Sequence, residues 1–272
     1  MRKLLPIVCF LGFFSIATLL NCYIVTNAQT SDYQKAYQDY ISSLNLYRDS
    51  HFKYQTAKNE YLAYRTLNAE TKAFEATREM LQKRDEGLQS YLRALRLRLE
   101  ETTAITNYKE NLSYLKLDSE IGWLSIHKDS IRGASSIEDL INISSQLEEK
   151  YPSLELLAYQ TLGIIISARE NSLRERVSTQ TEKIAEKINQ MKSEGENVEK
   201  LQRWMAEAKK KISTSSEKQT EAELKIKEIE VNDSSKLSSF NEAQMSYEQS
   251  NQYLKEAVSY LIEIVEEVKY GQ

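Results

Sequence analysis

The C-terminal part of the chain alternates apolar and polar residues in steps of three and four. From Leu237 a stripe runs through Phe240, Gln244, Tyr247, Asn251, Leu254, Val258, Leu261, Val265 and Val268, with Glu, Lys, Ser and Gln between. This spacing draws one narrow ridge along a helix, the seam of a coiled coil or slender bundle. A lone helix would leave that ridge wet, so the pattern predicts packing against further helices. Gln244 and Asn251 fall on the ridge, where polar residues set register and partner number at a cost in stability.

A second stripe opens the other end. Tyr33, Tyr40, Tyr47, Tyr54 and Tyr61 recur every seven residues, with Tyr37 and Leu44 one step round the helix and His51 beside them. Each ring has a wide apolar body and a hydroxyl at its edge, which suits a half-buried seam. Tyrosine is also favoured where proteins meet, so these five are candidate docking residues for a protein partner or a second copy. Near Thr66 to Thr71 the register changes and a new stripe begins at Leu67, Phe74, Leu81, Leu88 and Leu95. The change predicts a turn between two antiparallel helices, with Asn68 or Thr71 as the cap.

Thr102 to Asn107 reads as a bend. Two shorter helices follow, one stopping at Arg132-Gly133-Ala134. The other is opened by a Ser135-Ser136-Ile137-Glu138 capping box and stopped before Tyr151-Pro152. Ser153 then begins a long helix, whose first part (Leu154 to Ile166) is apolar nearly all round and predicts burial on several sides. Gly195 marks a turn and Asn232-Asp233-Ser234 another. Between them, Ser213-Thr214-Ser215-Ser216 predicts a frayed or bent middle to the helix that joins these two turns. With seven Gly and two Pro in 272 residues, turns are few and helices long. The expected class is all-α: an elongated antiparallel bundle or coiled coil, with two short helices as a cap or elbow. Its expected division is an N-terminal hairpin over 29–106, a short-helix cap over 107–152 and a three-helix bundle over 153–272.

Residues 1–28 differ in kind. Arg2 and Lys3 precede the apolar run Leu4 to Leu20, and Thr26-Asn27-Ala28 offers small residues before a cut, the layout of a signal peptide. Counted on to Val25, the run is also long enough for an uncleaved anchor. Leu19-Leu20-Asn21-Cys22 approximates a lipoprotein cut site, with Asn21 where a small residue is wanted. Each alternative leaves the remainder outside the cytoplasm, secreted, periplasmic or at the cell surface. Both cysteines, Cys9 and Cys22, lie in this leader. Without Arg2 and Lys3 the basic residues fall from 36 to 34 against 40 acidic ones, a formal charge of −6, which argues against nucleic acid as partner.

No residue set points to catalysis. His51 and His127 are far apart in sequence, neither belongs to a metal-binding spacing, and no phosphate loop or nucleophile motif occurs. No enzyme, cofactor or metal is therefore expected. Acidic pairs such as Glu148-Glu149, and basic clusters at Lys209 to Lys211 and around Arg96, read as solvated faces. Three triplets, at Asn111, Asn142 and Asn232, fit N-glycosylation and matter only in a eukaryotic host. The sequence thus predicts a spacer, scaffold or docking module. A membrane-active pore former using Leu154 to Ile166, or a chaperone or adaptor gripping clients through its tyrosine face, are the alternatives.

Overall fold

The computed structural model describes residues 32–102 and 108–270. The expected leader and cut site, the capping box that Ser31-Asp32-Tyr33-Gln34 would open at Ser31, and the bend at 103–107 lie outside them. The described residues form six helices: α1 (Asp32–Tyr64), α2 (Leu67–Thr102), α3 (Tyr108–Gly133), α4 (Ile137–Ser193), α5 (Glu199–Lys227) and α6 (Lys236–Tyr270). No strand occurs among these residues, and the protein is an all-α helical bundle. None of the described helices is long and apolar enough to cross a membrane.

The expected turn after the tyrosine helix is present and takes only two residues. Arg65 adopts a left-handed φ of 43°, and Thr66 caps α2 by accepting a hydrogen bond from the Ala69 amide at 3.2 Å. The cap is thus neither Asn68 nor Thr71: the chain reverses earlier, and Thr66 is the first hydroxyl able to reach a free amide. In α4 the cap is Ser136 and its partner Asp139, not Ser135 and Glu138. Ser136 Oγ accepts from the Asp139 amide, and Asp139 Oδ2 accepts from the amides of Ser136 and Ser135. These bonds, the Ser135 hydroxyl foremost, hold the Asp139 carboxyl below the usual carboxylate range.

The expected stop at Tyr151-Pro152 is absent, and α4 runs on through Pro152 for 57 residues. Proline inside a helix removes one amide donor and costs about 3 kcal/mol. Here it lies between buried Leu140 and Leu147 on one side and Leu154, Leu157 and Ala158 on the other. Burying one Leu contributes roughly 1.5–3 kcal/mol, so packing on both sides outweighs the local penalty. The second expected short helix is therefore the first part of a long one. The apolar run that follows is covered as expected, with Leu154, Leu157, Tyr159, Leu162 and Ile165 all buried.

Two antiparallel hairpins, α1/α2 and α5/α6, flank α3 and α4. In α1/α2 the tyrosines supply the seam, with the Tyr40 ring 5.2 Å from that of Tyr91 of α2 and tilted 53° to it. In α5/α6 the seam is made of small residues. Ala208, Ser215 and Ala222 of α5, each seven residues apart, are fully buried, as are Ala243, Ser250 and Ala257 of α6. Ser215 and Ser250 hydroxyls meet at 2.9 Å, and the antiparallel register pairs Ala208 with Ala257 and Ala222 with Ala243. The serine-rich middle of α5 is accordingly an unbroken helix and not a bend, because its smallest side chains let the partner helix come close.

This seam also revises the stripe expected in α6. Phe240, Tyr247, Leu254 and Leu261 are buried as the pattern predicts, but the intervening places go to Ala243, Ser250, Ala257 and Ile264. Gln244 and Asn251 lie one residue outside the seam, partly exposed. Gln244 donates to Glu248 on its own helix, and the buried polar contact across the seam is the one between Ser215 and Ser250.

Candidate functional site

The tyrosine stripe lies mostly inside the molecule. Tyr33, Tyr37, Tyr40, Tyr47 and Tyr54 are buried in the α1/α2 seam, and Tyr61 near the turn is partly exposed. Burial pushes the phenols of Tyr33 and Tyr40 up to about 12. At Tyr33 the guanidinium of Arg98, 4.5 Å above the ring, opposes that rise. His51 sits between the rings of Tyr47 and Tyr54, 5.9 and 6.0 Å away. Burial, then the Lys58 charge, lowers its pKa. The bundle's own packing thus covers the rings of Tyr33, Tyr40, Tyr47 and Tyr54 that sequence offered to a partner, and leaves Tyr61 partly exposed.

The other histidine meets a carboxylate. His127 of α3 is buried beside Asp85 of α2, with Nδ1 2.5 Å from the carboxylate and Nε2 2.8 Å from the Ile143 carbonyl of α4. Each ring nitrogen thus has an oxygen within hydrogen-bond distance. Trp123 stacks on that ring at 4.8 Å, and Arg84 reaches Asp85 at 3.4 Å and Ser144 at 3.1 Å. Both imidazole nitrogens are occupied and the ring is closed from solvent, so the cluster ties three helices together and has no free base to offer a substrate. The sequence gives no spacing by which to find it, because its members come from three helices. Among the described residues no group of three or more His, Cys, Asp or Glu is arranged to hold a metal ion.

A second polar site crosses the C-terminal helices. Ser250 donates to buried Glu170 of α4 at 2.9 Å. One turn along α4, Arg174 donates to Gln219 of α5, which in turn donates to Ser167, Asn171 and Glu223. Burial raises the Glu170 carboxyl above the ordinary value of 4.5, against the Ser250 bond and the Arg174 charge. These polar contacts make α4 read α5 and α6 in one alignment, the role that sequence gave to Gln244 and Asn251.

Among the described residues the exposed apolar surface includes two extended regions. The first is the end of the α1/α2 hairpin. Between residues 51 and 79 only Tyr54, Ala69 and Ala73 are buried, so this part of the hairpin is an arm two helices wide. The Lys53–Glu79 and Lys72–Glu60 ion pairs cross it. At its end Tyr64 is 73% exposed and Leu67 80%, flanking the left-handed Arg65. Polar residues form the other long turn, Glu194-Gly195-Glu196-Asn197, where Gly195 at φ 89° supplies the expected left-handed cap. The second region is a furrow between α4 and α6, with a cavity volume of about 580 Å³. Compared with family models, curated proteins and solved structures, the chain matches none of them.

Proposed function

We propose that this is a non-enzymatic helical-bundle protein acting outside the cytoplasm as a scaffold or docking module, with the α1/α2 arm as its presenting element. The observation that carries the reading is the arm's apolar end. Folding gains nothing from leaving Leu62, Tyr64 and Leu67 wet at a turn, where polar residues serve equally well. Tyrosine and arginine are the side chains that most often anchor protein interfaces, and Tyr64 and Arg65 stand together at this end. The two helices of the arm meet at buried Tyr54, Ala69 and Ala73 and are crossed by two ion pairs, so the arm carries that end apart from the remaining helices. The positively charged, then apolar, opening of the chain supports export.

The test is a photo-reactive residue placed at Leu67, compared with one at exposed Lys53, in the chain expressed in its own cells. The reading expects a discrete protein adduct from Leu67 and none from Lys53, lost when Tyr64→Ser is added. No adduct from Leu67, or equal adducts from both positions, ends it.

A further inference from the structure

The furrow between α4 and α6 is independent of the arm. Leu173, Val177 and Ile184 of α4 face Val258, Ile262 and Val265 of α6 across it, and it continues to Ile188 and Val268. The bundle leaves this side open: Ile262 is 52% exposed and Val258 37%. Its edges have a sign. Arg176, Lys183, Lys187 and Lys269 line it against one acid, Glu266, although the chain as a whole is acidic at −4. From Leu173 to Ile188 the furrow follows four turns of α4, roughly 22 Å at 1.5 Å per residue.

We propose that this furrow binds an amphipathic helix of about four turns whose apolar stripe is flanked by Asp and Glu. An apolar stripe at i, i+3, i+4 and i+7 fits a groove between two helices, and acidic flanks meet the basic edges. A second copy of this furrow is disfavoured as occupant, because it would set one basic edge against another.

The probe is a sixteen-residue synthetic helix with a leucine stripe and Glu flanks, and its control carries the same stripe with Lys flanks. Fluorescence anisotropy on the full chain is expected to show the Glu form binding at least about tenfold more tightly, a margin that shrinks as salt is raised. Ile262→Glu should weaken the Glu form by about tenfold or more. Lys183→Glu with Lys187→Glu should reverse the preference. All three positions face outward, so circular dichroism and the melting temperature should stay unchanged and separate lost binding from lost folding. Equal binding of the two peptides, or binding unmoved by Ile262→Glu, overturns the proposal. So does a dimer in light scattering that Ile262→Glu dissociates, or anionic vesicles that compete the peptide away, since either would name another occupant. None of these results depends on the arm.

Discussion

The two hairpins solve one packing problem with opposite side chains. Between α1 and α2 the seam is filled by tyrosine rings, which hold the helices by burying area in tilted ring contacts. Between α5 and α6 it is filled by Ala and Ser at seven-residue intervals, which lets the backbones approach. A ring seam stores its stability in individual side chains, so removing one leaves a large void. A small-residue seam stores it in proximity, so adding atoms does the damage.

Paired substitutions test this contrast most strongly. Tyr40→Ala should cost about 3–5 kcal/mol in urea unfolding, the range for truncating a buried aromatic. Ala243→Gly, at a fully buried place in the other seam, should cost only about 1 kcal/mol, mainly through helix propensity. Adding atoms at a fully buried alanine of that seam, Ala257→Leu, should cost about 1–3 kcal/mol by forcing α5 and α6 apart. Were Ala257→Leu neutral, the close approach would be wrong.

The charge beneath the small-residue seam gives a smaller, pH-dependent effect. Glu170 has a raised pKa in the folded chain, so the native state holds its proton more tightly than the unfolded one. Its contribution to stability is then complete below the unfolded value and declines as pH rises through the folded one. Glu170→Gln keeps an acceptor for Ser250 without the buried charge. Its unfolding free energy should match the parent in acid and exceed it at neutral pH; a constant difference across pH would remove Glu170 as the cause.

The smallest effects come from two helical glycines, one in each half. A Cβ at Gly87 in α2 would meet nothing within 4 Å, so Gly87→Ala should raise stability by about 0.5–1 kcal/mol. A Cβ at Gly163 in α4 would lie 2.6 Å from Ile226 Cδ1 and 3.1 Å from its Cγ2. Ile226 is buried and β-branched, with little freedom to turn away, so Gly163→Ala should lower the melting temperature where Gly87→Ala raises it.

Where the sequence could be read, large side chains wrote the signal. The tyrosine heptads, the two-helix turn near Thr66 and the burial of Leu154 to Ile165 follow from spacing and size, and only the turn at Gly195 was read from a small residue, through its left-handed backbone. The misreadings share an opposite cause. Gln244 and Asn251 were placed on a seam because Val258 and Val265 continue their row, whereas the buried row passes through Ala243, Ser250 and Ala257, which carry little hydropathy. Ser213 to Ser216 suggested a bend for the same reason. At Pro152 a local rule was outweighed by leucines packed on both sides, which no window of sequence can weigh.

By itself the sequence determined that the described chain is helical, because turn-forming residues are scarce and apolar positions recur at helical intervals. It also determined that one end carries a tyrosine seam, because seven-residue spacing survives whatever the partner is. Only tertiary structure decided that the bundle's own packing covers most of those rings, that His127 closes on Asp85, and which apolar face α4 leaves open against α6. Those outcomes depend on how closely helices far apart in sequence approach, and that distance is set by their smallest residues.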